Sequence, residues 1–303
     1  MAIFGPNPTL TVTLERRAES KNDDIHFHPG GQGVWVARMV ATLGAEPILC
    51  GLIGGEGGTT LRPLLEQLGG QLRLVETAGG TSSYVTDRRS GERHLAAADL
   101  AEPPSRHEID ELFSSTCAAA LESDVLVICN PFPAEILPLG LYRDLVSDVR
   151  RSGTPVLVDL SSPRLDSALE GRPDLAKLND WELAEFVAGP VDGPTRLRAA
   201  AERLLGAGAG AALVTRGPEP ALAVRDGEAL IVEPPRFEHG FREGCGDTMM
   251  GAMAAAWARG LDWRETLTLG AAAGAANFLR HGLGTGSEAV VHELTDRVGL
   301  TPA

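Results

Sequence analysis

The sequence predicts an α/β fold: a mostly parallel central sheet flanked by helices, with a small β lid. Three observations lead there. Short apolar runs at 47–52, 125–129, 155–160 and 211–215 read as strands buried on both faces. Between them, stretches 34–43, 137–150 and 195–205 carry apolar residues three and four apart, the spacing of helices that cover a sheet. Two segments break this alternation. Residues 10–28 are polar and strand-like, and residues 81–99 contain Ser90-Gly91, a hairpin turn pair. Together they read as a flap over the sheet.

With 303 residues, 43% of them hydrophobic, the chain is able to bury one large core. The organisation expected is a single domain over 1–303, with lid segments at about 10–28 and 81–99 inserted within it. The alanine- and glycine-rich stretch 206–212 reads as a helix end running into a strand, and Pro190 to Pro194 as a surface turn.

A formal net charge of −14 argues against nucleic acid or an anionic membrane as partner, because both require a basic surface. The partners expected are therefore small molecules, and an anionic one must be held by local groups. The N-terminus lacks a basic region followed by an apolar core, and charges interrupt every apolar stretch before membrane-spanning length. A cytoplasmic protein is expected. Cys50, Cys117, Cys129 and Cys245 show neither CxxC pairing nor zinc spacing, so they read as reduced thiols.

The most informative segment is Gly244-Cys245-Gly246-Asp247-Thr248, which leads into an alanine-rich helical run. Glycines at a helix start let backbone N–H groups converge on an anion. An aspartate in that first turn is placed to take a proton from an alcohol beside a phosphate. Asp247 as a plain helix cap is the competing reading.

In sequence order, further segments join this one. Asn7-Pro8-Thr9-Leu10, Pro29-Gly30-Gly31-Gln32-Gly33 through Leu43-Gly44, Asn179-Asp180-Trp181-Glu182, Val214-Thr215-Arg216-Gly217, the Gly244–Asp247 run, and Ala276-Asn277 with Gly282 to Gly286 resemble the motifs of the ribokinase-like PfkB sugar kinases. The similarity runs almost end to end and is greatest to the 1-phosphofructokinase and tagatose-6-phosphate kinase branch. The resemblance implies a ribokinase-like fold and transfer of the γ-phosphoryl of ATP or GTP to a hydroxyl of a sugar-like acceptor. Asp247 would be the general base, and Gly244, Cys245 and Gly246 would form the anion hole, where such donors are worth roughly 3 kcal/mol each. Asn179 and Glu182 would steer Mg²⁺. Asn179, Thr215, Gly217, Asn277 and Gly282 would approach the purine nucleotide, with Pro220 standing where a second glycine is usual. Thr11, Gly30, Gly31, Gln32, Trp35 and Asn130 would line the acceptor pocket. A homodimer through the lid is a further implication, consistent with an exposed strand edge.

The acceptor side departs from the resemblance. Thr11 stands where relatives carry aspartate, and Gln32 and Trp35 replace a lysine and an asparagine. Cys129-Asn130-Pro131-Phe132 replaces Gly-Ser-Leu-Pro, and Ala97, Asp99 and Ala101 replace a basic segment. A sugar phosphate needs cations, so a neutral acceptor such as a nucleoside is expected, with Trp35 able to stack on a ring or simply to pack. His26 and His28 alternate on a flap strand, one face toward the site or solvated. The alternatives are a 1-phosphofructokinase-type enzyme, its phosphate pocket closed by Arg88, Arg89 or Arg93, and a catalytically retired binding protein of the same fold.

Overall fold

The computed structural model describes residues 1–17, 22–280 and 284–303. In chain order, β1 (Ala2–Phe4) is followed by the lid hairpin β2 (Thr9–Arg16) and β3 (Asp23–Gly30), then α1 (Gln32–Thr42), β4 (Ile48–Ile53), α2 (Gly55–Glu66) and β5 (Gln71–Glu76). The second lid hairpin is β6 (Ser83–Asp87) and β7 (His94–Asp99). Next come α3 (Arg106–Leu121), β8 (Leu126–Cys129), α4 (Gly140–Arg151), β9 (Val156–Asp159), α5 (Arg164–Glu170), β10 (Leu175–Asn179), α6 (Asp180–Val187) and α7 (Pro194–Ala207). The meander β11 (Ala211–Arg216), β12 (Glu219–Arg225) and β13 (Glu228–Glu233) leads to α8 (Cys245–Ala258), α9 (Trp263–Phe278), α10 (Glu288–Thr295) and β14 (Gly299–Pro302).

The central sheet has the order β14-β13-β12-β11-β10-β9-β8-β1-β4-β5. It is parallel from β5 to β11, and β12 to β14 add antiparallel strands at one edge. Every residue of β8 and β9 is buried, as expected for strands covered on both faces. Alternate side chains serve different cores: Leu157 packs with α1, α8 and α9, while Val156 and Val158 pack with α4, α5 and α7. The fold class is the one the sequence predicts. The expected strands and helices are present, their ends shifted by one to three residues, where fraying and capping decide the boundary.

The lid is a four-stranded sheet of order β3-β2-β6-β7, in which β2 pairs parallel with β6. Its two faces differ. Thr9, Thr11 and Thr13 are buried on the inner face, whereas Ile25, Phe27 and Leu95 are among its exposed residues. Among the described residues no helix is long and apolar enough to cross a membrane.

Candidate active site

The helix α8 begins at the segment that the sequence singles out. Gly244 has φ +76°, a left-handed conformation that glycine adopts without penalty, and it starts the helix. The first intrahelical bond runs from the Thr248 N–H to the Gly244 carbonyl at 2.9 Å. The amides of Gly246 and Asp247 therefore precede the helical ladder, as an anion cradle requires. Close helix packing fixes α8 in place. A Cβ on Gly251 would lie 2.7 Å from the Val36 carbonyl oxygen of α1, and one on Gly270 of α9 would lie 2.6 Å from Met253 Cγ. The helix is thus wedged between α1 and α9, so its first turn has little freedom to shift.

Asp247 is partly exposed at the head of this helix. Its pKa is pushed up to about 7, first by burial and then by repulsion from Asp159; Lys177 and a hydrogen bond from Gln32 oppose the rise. Sequence reasoning missed Asp159 and Lys177. They end or nearly end adjacent parallel strands in register, Lys177 opposite Asp159, and their side chains pair at 2.6 Å. Burial disfavours the Lys177 ammonium, but Asp159 and Asp247 outweigh that effect and raise its pKa. A Cβ on Gly246 would sit only 3.1 Å from Lys177 Nζ, so the ammonium lies close behind the backbone of the first turn of α8. The available signal was a lone charged residue in each of two short, largely apolar strands: Asp159 at the end of 156–159 and Lys177 in the middle of 175–179.

Gln32 opens α1 after Gly31, whose φ of +101° suits glycine. Its Oε1 accepts from the Asn130 N–H at 2.6 Å. Asn130, expected in the acceptor pocket, spends its side-chain oxygen inward: Oδ1 accepts from the Ser161 N–H at 3.2 Å and from Arg164 Nε at 3.1 Å. Trp35, read as a stacking platform or a packing residue, packs against the core, and a Cβ on Gly284 would lie 2.7 Å from its Cα.

On the lid, Thr11 faces Gly30 closely: a Cβ there would lie 2.7 Å from the Thr11 hydroxyl and equally near that of Thr9. His28 Nε2 is 2.8 Å from Thr13 Oγ1. Burial holds the His28 pKa down, and the cations Arg38 and Arg93 press it further. His26 is solvated. Of the other arginines weighed for this pocket, Arg89 is tied to Asp87 at 2.7 Å and Asp23 at 2.9 Å, and Arg88 lies over the Phe241 ring, 5.2 Å from its centroid. The Thr86 hydroxyl of β6 is buried without a hydrogen-bond partner, and burial raises the Tyr84 pKa. Two contacts seat the lid on the body: Arg88 on Phe241, just before α8, and Tyr84 edge-on to Phe132 at 5.5 Å.

The nucleotide candidates fall partly together. Asn179 and Thr215 are paired at the carboxyl ends of β10 and β11, and Gly217 turns the chain with φ +59°. Asn179 and Glu182 also form a reciprocal cap: Asn179 Oδ1 accepts from the Glu182 N–H and Glu182 Oε2 from the Asn179 N–H, both at 2.9 Å. Burial raises the Glu182 pKa. Asn277, expected near the base or ribose, is fully buried. It donates to the Glu243 carbonyl and to Cys245 Sγ and accepts from the Thr285 N–H at 2.9 Å, so it tethers the catalytic loop. Gly282 lies outside the described residues. Among the described residues, no group of three or more His, Cys, Asp and Glu side chains is arranged to hold a metal ion.

A doubly covered parallel sheet, an aspartate in a glycine-led helix turn and a β lid over the strand ends define a phosphotransferase with an alcohol group as acceptor. Residues 9–290 match the pfkB family carbohydrate kinases, and the chain belongs to that family. It is 31% identical over 263 residues to the ATP-dependent 6-phosphofructokinase isozyme 2 of Escherichia coli (strain K12), spanning 84% of this chain and 83% of the relative. It is 31% identical over 275 residues to the 1-phosphofructokinase of Rhodobacter capsulatus, spanning 88% and 83%. The crystal structure of phosphofructokinase-2 from Escherichia coli in complex with potassium superposes with a TM-score of 0.87 at 27% identity, covering 98% of both chains. The same Escherichia coli protein has been described in a tetrameric inhibited form. The chain is thus a sugar kinase, and kinases of this family use ATP.

Proposed function

We propose that this chain phosphorylates a sugar phosphate at the expense of ATP, with Asp247 as general base. The observation that supports the anionic acceptor is the cationic setting of the half-buried lid residue His28, whose pKa Arg38 of α1 and Arg93 of the lid hairpin press down. The neutral acceptor expected from the sequence rested on the cations missing at Gln32 and Trp35. The comparisons favour the sugar-phosphate alternative, since the relatives carry the names of phosphofructokinases. Positive charge comes instead from Arg38, within α1, and from Arg93, just before β7 in the lid hairpin. The Thr86 hydroxyl, buried without a hydrogen-bond partner, gives a sugar a further polar contact on the same lid.

In this reading the acceptor hydroxyl meets Asp247, whose pKa near 7 suits proton removal at neutral pH. The amides of Gly246 and Asp247, with Lys177 behind them, stabilise charge on the transferring phosphoryl. Asn179, Thr215 and Gly217 face the nucleotide at the ends of β10 and β11. Asp159, Asp247 and Glu182 outnumber Lys177, an acidic excess that fits a Mg²⁺ carried by the nucleotide and reached through water by Glu182 and Asn179. Such an ion supplies charge neutralisation on the phosphates. The exposed Ile25, Phe27 and Leu95 support pairing of two lids in a homodimer.

The test is a coupled ATP-consumption assay with fructose 6-phosphate and fructose 1-phosphate, set against fructose and a nucleoside panel. Turnover confined to a sugar phosphate supports the proposal. Turnover of fructose or a nucleoside in preference to either phosphate would sink it.

A further inference from the structure

The side chain of Gln32 is held in one orientation, and that orientation bears on the base. Its Oε1 accepts from the Asn130 N–H at 2.6 Å. An amide has its donor opposite its acceptor. With the oxygen committed to Asn130, Nε2 is the side-chain group of Gln32 left to donate to a carboxylate, and the Gln32 side chain is hydrogen-bonded to Asp247. The anchor is itself pinned. Asn130 Oδ1 takes bonds from the Ser161 N–H and from Arg164 Nε, while Arg164 Nη2 donates to Ser161 Oγ at 2.9 Å and Nη1 to the Ala134 carbonyl at 3.2 Å. Arg164 is 6% exposed, so this chain of contacts has little room to rearrange. The loops after β8 and β9 thereby fix an amide at the start of α1, and that amide fixes the carboxylate at the start of α8.

We propose that Gln32 is a positioning residue for Asp247: clamped through its oxygen by the Asn130 N–H, it donates through Nε2 to the carboxylate, orienting it and favouring its ionised form. A flipped amide would present its oxygen to the carboxylate and would hold Asp247 protonated. The Asn130 clamp prevents that flip. This assigns Gln32 to the base and not to the acceptor, and as a neutral donor it leaves Asp247 a stronger base than a lysine at the same place would. The inference rests on the reading of Asp247 as the base.

The experiment compares wild type, Gln32→Met and Gln32→Lys. Methionine keeps the length and removes the donor, and lysine restores a donor with added charge. The carboxyl carbon of Asp247 is followed by ¹³C NMR across pH in protein labelled at aspartate, the resonance being assigned by its absence in Asp247→Asn. Expected is a rise of about one pH unit in the Asp247 titration for Gln32→Met and a fall for Gln32→Lys, the scale of one hydrogen bond to a charged group. The acid limb of kcat/KM should move in the same directions, with kcat lowered by Gln32→Met and KM for ATP unchanged. An Asp247 titration that superimposes in all three proteins overturns the inference, whatever the activity. If the titration shifts as expected while Asp247→Asn retains turnover, the hydrogen bond stands and the base reading fails, which removes the positioning role with it.

Discussion

Lys177 Nζ and Asp159 Oδ2 lie 2.6 Å apart, about 5% exposed each, directly behind the backbone of Gly246. A buried pair of this kind contributes little net stability against a hydrophobic pair, but breaking it strands a charge. Lys177→Met leaves Asp159 unpaired beside Asp247 and should cost about 3–5 kcal/mol of stability, read from urea unfolding. Asp159→Asn removes a like charge from Asp247, so it should lower the acid limb of the rate profile even where total activity falls. An unchanged unfolding midpoint for Lys177→Met would show that the pair does not hold the strand ends together.

Asp247 links activity and stability to pH in opposite senses. Its folded pKa is raised from 3.8 to about 7. The native state therefore holds a proton, between about pH 4 and 7, that the unfolded chain has released, and this group makes stability fall as pH rises through that window. With Asp247 as the proposed base, activity should run the other way and fall below about pH 7, because a base must be ionised. Asp247→Asn should consequently unfold at higher denaturant than wild type at pH 8, with the advantage gone near pH 4, while turnover drops by about 10²–10⁴. Equal midpoints at pH 8 would mean that Asp247 titrates normally.

A Cβ on Gly246 would press on Lys177, lying 3.1 Å from Nζ. Gly246→Val should displace the ammonium and block close approach of a phosphate. A loss of about 10²–10³ in kcat is expected, as for removal of one anion-hole donor, together with weaker nucleotide binding by calorimetry. Retained nucleotide affinity alongside the lost turnover would place the phosphates away from this turn.

Much of this architecture was legible in the residues because the signals were local. The strands at 125–129, 155–160 and 211–215 are bounded apolar runs, and the glycines around Cys245 announce a helix start. What the sequence could not convey was direction. Asn277 reads as a nucleotide contact, yet its bonds to Glu243, Cys245 and Thr285 turn its side chain inward. Asn130 and Gln32 read as acceptor contacts, and nothing local announces their mutual bond, between residues 98 positions apart. The Lys177–Asp159 pair depends on the register of two strands separated by α5, which no local pattern encodes. Arg38 and Arg93 fall near His28 because α1 and the lid hairpin converge, so the missing lysine of the glycine signature overstated the loss of positive charge.

His28 offers the last test, because its titration reports what the lid holds. Burial and the cations Arg38 and Arg93 keep its pKa below 6.5, so the unliganded protein carries it neutral at pH 7. A phosphate dianion bound beside these groups reverses the repulsion and favours the imidazolium. Binding a sugar phosphate near pH 6 should therefore take up protons, seen in calorimetry as a binding enthalpy that varies with the ionisation enthalpy of the buffer. The same titration with an uncharged sugar should show no such dependence. Arg93→Ala removes one of the cations; it should raise KM for the sugar phosphate by about tenfold, near the loss of one charge-assisted contact, and leave KM for ATP unchanged. Increases in both KM values together would place Arg93 at the nucleotide and leave the lid cations without a role in choosing the acceptor.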